Sequence, residues 1–170
     1  GYELLCGGIF TCKFLTSLSL KDVDLGDGLL SLKNLQILCS LTIDNVTMCK
    51  DGYVILCDGI STCKTLTSLS LKDLDLCNGL LILNNLERLR SLTIDNVTMC
   101  KDGYVMLCNY ISMCKHVTLS LKNLDLGDAI LSLEKLKEFE LVNITMSLEC
   151  VDHNKPSVQC LLSSCFNSFK

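Results

Sequence analysis

The chain has no tryptophan and only five phenylalanines and four tyrosines among 170 residues. With apolar residues at 49%, its core must therefore be aliphatic, built on leucine with isoleucine and valine. There are only two histidines, His116 and His153, in unrelated contexts, which leaves no Ser/His/Asp or Cys/His constellation. No phosphate-binding glycine loop occurs, and no C-x-x-C pair suggests a metal. Catalysis, a metal and a cofactor are thus not expected. No basic run and no basic-aromatic alternation accompany the net charge of -4, which argues against nucleic acid as a partner. The apolar stretches are too short for a membrane span. No signal-peptide pattern is visible, and Gly1 matches the interior of a repeat, so the chain reads as a piece of a larger receptor or scaffold.

What is abundant is repetition. "SLTIDNVTMCKDGYV" stands at Ser40–Val54 and again, letter for letter, at Ser91–Val105. "GYELLCGGIFTCKFLTSLSLKDVDL" at Gly1 matches "GYVILCDGISTCKTLTSLSLKDLDL" at Gly52, and a third copy begins at Gly103. The 51-residue period divides into units of about 23 and 28, each with apolar residues at relative positions 1, 4, 6, 9 and 11. That spacing is the leucine-rich-repeat pattern. Its "LSL" and "LTI" cores alternate as half-buried strands do. Tyr53, Leu56, Cys57 and Ile60 then follow at i, i+3, i+4 and i+7, one face of a helix. A single unit cannot bury its leucines alone, so neighbours must stack. The expected fold is α/β: a curved leucine-rich-repeat solenoid, with a parallel inner sheet and helices or irregular segments outside. About six units should occupy residues 1–150, the last shortened near Leu136–Leu141. Residues 151–170 should form a capping segment or tail, with Asn154 and Pro156 opening a helix striped by Val158, Leu161, Leu162 and Cys165.

The segments "LCDGISTCKTLTSLSL", "LCGGIFTCKFLTSLSL" and "LCNYISMCKHVTLSL" resemble repeats of the ribonuclease-inhibitor-like type, as in cytosolic ribonuclease inhibitor and the NOD-like receptors. The resemblance covers roughly residues 1–150. It implies a cytoplasmic protein-binding or ligand-sensing module with a role in innate immunity, and Gly52 and Gly103 stand where that repeat has its glycine. Two departures stand out. Alternate units are short, and Val23, Val46, Leu74, Val97 and Leu124 hold the position of the family's ladder asparagine. The loop backbone groups that this ladder would bond need other partners, and Asn45, Asn96, Asn123 and Asn143 are candidates. A GTPase-activating role would need a positioned arginine, and only Arg88 and Arg90 exist.

Strand residues pointing away from the leucines would line the concave face and meet a protein partner. They are Ser17, Ser19, Lys21 and Asp22; Thr42, Asp44 and Asn45; Ser68, Ser70, Lys72 and Asp73; Thr93, Asp95 and Asn96; Ser120, Lys122 and Asn123; and Glu140. Three further features bear on compartment. Asn45, Asn96 and Asn143 fit the N-glycosylation tripeptide, though an asparagine serving the turn after a strand gives the same letters. Thirteen cysteines include two equivalent sets, Cys6, Cys57, Cys108 and Cys12, Cys63, Cys114. Members of a set are two units apart, beyond disulfide reach, and read as core filler. Cys49, Cys77 and Cys100 fall in successive units, so Cys77 could pair with either neighbour in an oxidising compartment. The reduced-thiol resemblance favours the cytoplasm. A secreted, glycosylated recognition receptor and a spacer without a partner are the other readings.

Overall fold

A computed structural model of the protein describes residues 1–76, 78–113 and 117–124, without the side chain of Ser112. Cys77, Cys114, Glu140, Asn143 and the C-terminal capping segment therefore lie outside the described residues. Eight elements follow one another: α1 (Tyr2–Thr11), β1 (Ser17–Asp24), β2 (Ser40–Thr47), α2 (Lys50–Thr62), β3 (Ser68–Asp75), β4 (Ser91–Thr98), α3 (Lys101–Met113) and β5 (Thr118–Lys122). The strands form one parallel sheet in the order β1-β2-β3-β4-β5. The protein is thus α/β, and a parallel sheet whose strand order repeats the chain order is compatible with an α/β solenoid.

The register places equivalent residues side by side. Leu18, Leu41, Leu69, Leu92 and Leu119 form one row, and Leu20, Ile43, Leu71, Ile94 and Leu121 the next. Both rows are buried and join one continuous aliphatic core. No charged side chain is buried among the described residues, and the buried Tyr53 hydroxyl donates to Val46 C=O at 3.0 Å, so among those residues no buried side-chain oxygen or nitrogen lacks a hydrogen-bond partner. Each fully buried leucine contributes about 1.5–3 kcal/mol by transfer from water.

The two unit lengths correspond to two ways of returning to the sheet. The longer units return through a helix, and Tyr53, Leu56, Cys57 and Ile60 are all buried, as their spacing implied. In the shorter units, between β1 and β2 and between β3 and β4, the described residues form only turns. There Leu35 N–H donates to Leu32 C=O at 2.9 Å and Leu38 N–H to Leu35 C=O at 3.1 Å; Leu83, Leu86 and Leu89 repeat this at 2.9 and 3.0 Å. An i to i+3 bond repeated in this way brings every third residue to one side. All six leucines are buried, so the thin return contributes a full apolar ridge without a helix.

Thick and thin returns pack by way of glycine. A Cβ on Gly59 of α2 would lie 3.0 Å from the Leu32 backbone nitrogen, and one on Gly79 would lie 2.8 Å from Cys57 Sγ. Cysteine serves as the small neighbour in this packing. Cys6, Cys57, Cys63 and Cys108 are buried, whereas Cys12, expected from the sequence to fill the core, is exposed beyond the end of α1, as is Cys39. Burial, reinforced by the Asp58 carboxylate and then Cys100, pushes the Cys57 thiol up to about 12, and burial alone pushes Cys63 and Cys108 up to about 11. Since the thiolate is the reactive form, brief alkylation of the folded protein at about pH 8 should modify Cys12 and Cys39 and spare Cys57, Cys63 and Cys108. Peptide mapping by mass spectrometry checks this, and Cys57 reacting as fast as Cys12 would refute the packing.

Candidate binding face

Between the two buried strand rows, and beyond them, the other side chains turn outward. Ser17, Ser40, Ser68, Ser91 and Thr118 form one row across the sheet, and Ser19, Thr42, Ser70, Thr93 and Ser120 form another. A third row is charged and alternates in sign: Lys21, Asp44, Lys72, Asp95, Lys122. Lys21 Nζ lies 3.5 Å from Asp44 Oδ2, with the lysine side chain 65% exposed and the aspartate 17%. Such an exposed pair is worth at most about 1 kcal/mol. Its importance is that each positive charge has a negative one on the next strand, so the row nearly cancels itself.

Just after this row the backbone changes hand. Asp22, Asn45, Asp73, Asn96 and Asn123 all have φ between 50 and 52°. The pairing steps over them, from Lys21 opposite Asp44 directly to Val23 opposite Val46, and from Lys72 opposite Asp95 to Leu74 opposite Val97. Strict alternation would bury Asp22 and expose Val23. One left-handed residue shifts the phase, so two polar residues face out in succession and the next apolar residue faces in. Val46, Leu74, Val97 and Leu124 are accordingly buried. Asparagine and aspartate are the residues with a Cβ that adopt this conformation most readily, which explains why one or the other stands at every such position. The sequence carried the signal in the step from position 6 to position 9, three residues where alternation allows two.

The left-handed residues are also bonded between strands. Asn45 Nδ2 donates to Asp22 Oδ1 at 2.8 Å, Asn96 Nδ2 to Asp73 Oδ1 at 2.6 Å, and Asn123 Nδ2 to Asp95 Oδ1 at 2.9 Å. These asparagines therefore do bond from unit to unit, but to carboxylates on the outward face. The loop backbone groups find partners in other backbone groups: Leu25 N–H donates to Thr47 C=O at 2.8 Å, Leu76 N–H to Thr98 C=O at 2.9 Å, and Cys49 N–H to Gly26 C=O at 2.8 Å. At the end of β1, Asp24 Oδ1 accepts from Gly26 N–H at 2.9 Å and from Thr47 Oγ1 at 2.8 Å. Those bonds, the Gly26 amide first, hold the Asp24 carboxyl below its usual range.

The same geometry bears on the two remaining sequence features. In Asn45 and Asn96 the amide nitrogen that a glycan would join donates one of its two hydrogens to Asp22 or Asp73. Cys49 and Cys100 carry free, half-buried thiols. Cys49 has a different use, because its Sγ accepts from Gly52 N–H at 3.3 Å and caps α2. Among the described residues no group of three His, Cys, Asp or Glu side chains is arranged to hold a metal ion, and no helix is long and apolar enough to cross a membrane. No protein-family model, curated protein or solved structure matches this chain.

Proposed function

We propose that the chain is a segment of a leucine-rich-repeat solenoid of the ribonuclease-inhibitor-like kind, resembling the repeats of NOD-like receptors, and that it binds a protein partner or senses a ligand without catalysis. The observation that carries this reading is the outward strand face, where five strands present hydroxyl, charged and left-handed Asn/Asp rows in register. Extended sheets of this sort, stacked unit on unit, provide broad binding surfaces. The contact residues would be the outward serines and threonines together with Lys21, Lys72 and Lys122 and the aspartates between them. Arg, Tyr and Trp, the usual anchors of tight interfaces, are missing from these strand positions, so the contacts would be polar and distributed.

A cytoplasmic setting fits the free thiols of the eight cysteines among the described residues. The secreted, glycosylated alternative rests on the tripeptides at Asn45, Asn96 and Asn143. The test is a Lys21→Glu, Lys72→Glu, Lys122→Glu variant, which leaves the buried rows untouched and makes the charged row uniformly negative. With unaltered folding by circular dichroism, the variant should lose at least tenfold in recovery of the partners captured by the parent chain. Equal recovery would leave the face as a spacer surface.

A further inference from the structure

Away from the outward strand face, a cleft of about 520 Å³ opens where two neighbouring units approach the starts of β3 and β4, and it is lined by Lys64, Thr65, Asn84, Asn85, Glu87 and Arg88. Its volume falls within the ~300–1,000 Å³ range of small-molecule sites. One wall is held in place, because Thr65 Oγ1 donates toward Leu38 C=O at 2.8 Å and Gln36 C=O at 3.2 Å. The other side chains are exposed. Among the described residues, neither Lys64 nor Arg88 has a carboxylate within ion-pair distance.

Internal duplication supplies an independent observation. Residues 32–39 and 83–90 are the same thin return in two copies, with the buried leucines unchanged. Of the five exposed positions in the second copy, four differ: Lys33 against Asn84, Gln36 against Glu87, Ile37 against Arg88 and Cys39 against Arg90, while Asn85 matches Asn34. Three of the four residues on the second side, Asn84, Glu87 and Arg88, line the cleft. Both arginines of the chain arise in this one stretch.

We propose that this cleft binds a small organic acid in which a carboxylate neighbours hydroxyl or amide groups. A guanidinium offers a planar two-point fork that matches a carboxylate, and the lysine ammonium adds a second positive charge. Asn84 and Asn85 supply amides that both donate and accept. Glu87 decides the class. It accepts hydrogen bonds from donors beside the ligand's carboxylate and repels multiply charged anions such as phosphates. A sugar acid and the acidic end of a peptide share this chemistry.

The whole chain, labelled with ¹⁵N, would be titrated with glucuronate and with an acetylated Glu-Gly dipeptide. Glucose and the acetylated Gln-Gly amide serve as uncharged counterparts. One or both acids should shift the Arg88 side-chain N–H and the Asn84 and Asn85 amide signals, saturating at about millimolar concentration, and whichever acid does so identifies the source. The uncharged counterparts should not. Arg88→Ile installs the side chain that the first copy already carries at that place, so folding is retained, and it should weaken binding at least tenfold. Glu87→Gln, likewise taken from the first copy, should narrow the preference for these acids over inorganic phosphate. No shift with either acid, equal shifts with the uncharged molecules, or unaltered binding by Arg88→Ile would each overturn the assignment.

Discussion

Gly79→Ala should lower the midpoint of thermal unfolding by about 4–10 °C, the equivalent of about 1–3 kcal/mol for an overpacked site in a chain of this size. The added methyl would lie 2.8 Å from Cys57 Sγ and 3.0 Å from the carbonyl oxygens of both Leu76 and Tyr53. A sulfur at the end of a short, fully buried side chain has little room to yield. The two carbonyls have less, since one belongs to α2 and the other to the chain leaving β3. The thin return and the helix would have to separate, which opens the leucine ridge behind them. Cys57→Ala in the same chain removes one of the three obstacles, so the double variant should regain part of the loss and the two effects should not add. Calorimetry of the four proteins checks both points. A Gly79→Ala protein as stable as the parent would mean that the helix and the thin return do not touch as described.

Asn96→Val tests the outward face in the same way. Valine is branched at Cβ and is a genuine outlier at a φ of 52°, at a cost of about 1–3 kcal/mol for the backbone alone. The bond to Asp73 is lost as well, adding about 0.5–1.5 kcal/mol. Asn96→Gly loses the same bond but adopts the left-handed backbone freely. The valine protein should therefore be less stable than the glycine protein by at least about 1 kcal/mol in urea denaturation. If strand propensity alone governed the position, valine would be the better residue and the order would reverse.

Much of this architecture was legible in the letters because its physics is periodic. Leucines two apart along a strand, and Tyr53, Leu56, Cys57 and Ile60 along a helix, declare which side is buried without any knowledge of the partner surface. The units of about 23 and 28 residues then put equivalent residues on neighbouring strands, and so anticipated the rows of hydroxyls and charges. The less regular parts were harder to see. A return of successive turns, with Leu32, Leu35 and Leu38 facing inward, has a three-residue spacing too short-lived to distinguish from loop. The reversal of backbone hand at Asp22 and Asn45 was present in the spacing of the apolar residues, but its effect on which atoms meet needs two strands in register. That Asn45 Nδ2 finds Asp22, and that Cys49 caps α2, depends on distances no spacing supplies. The cleft beside Arg88 belongs to the same class, because its two sides come from residues 64–65 and 84–88, joined only by stacking.

The alternation of sign along Lys21, Asp44, Lys72, Asp95 and Lys122 also governs how quickly anything can arrive. Three lysines stand against two aspartates in that row, and Asp22 and Asp73 lie beside it. The charges cancel over roughly the width of two strands, about 10 Å and close to the screening length of physiological salt. Little field extends into solution to draw an approaching molecule in or turn it round. Encounter with this face should proceed at the unassisted rate of about 10⁵–10⁶ M⁻¹s⁻¹ and vary little with ionic strength. Selectivity would then lie in how long the complex lasts.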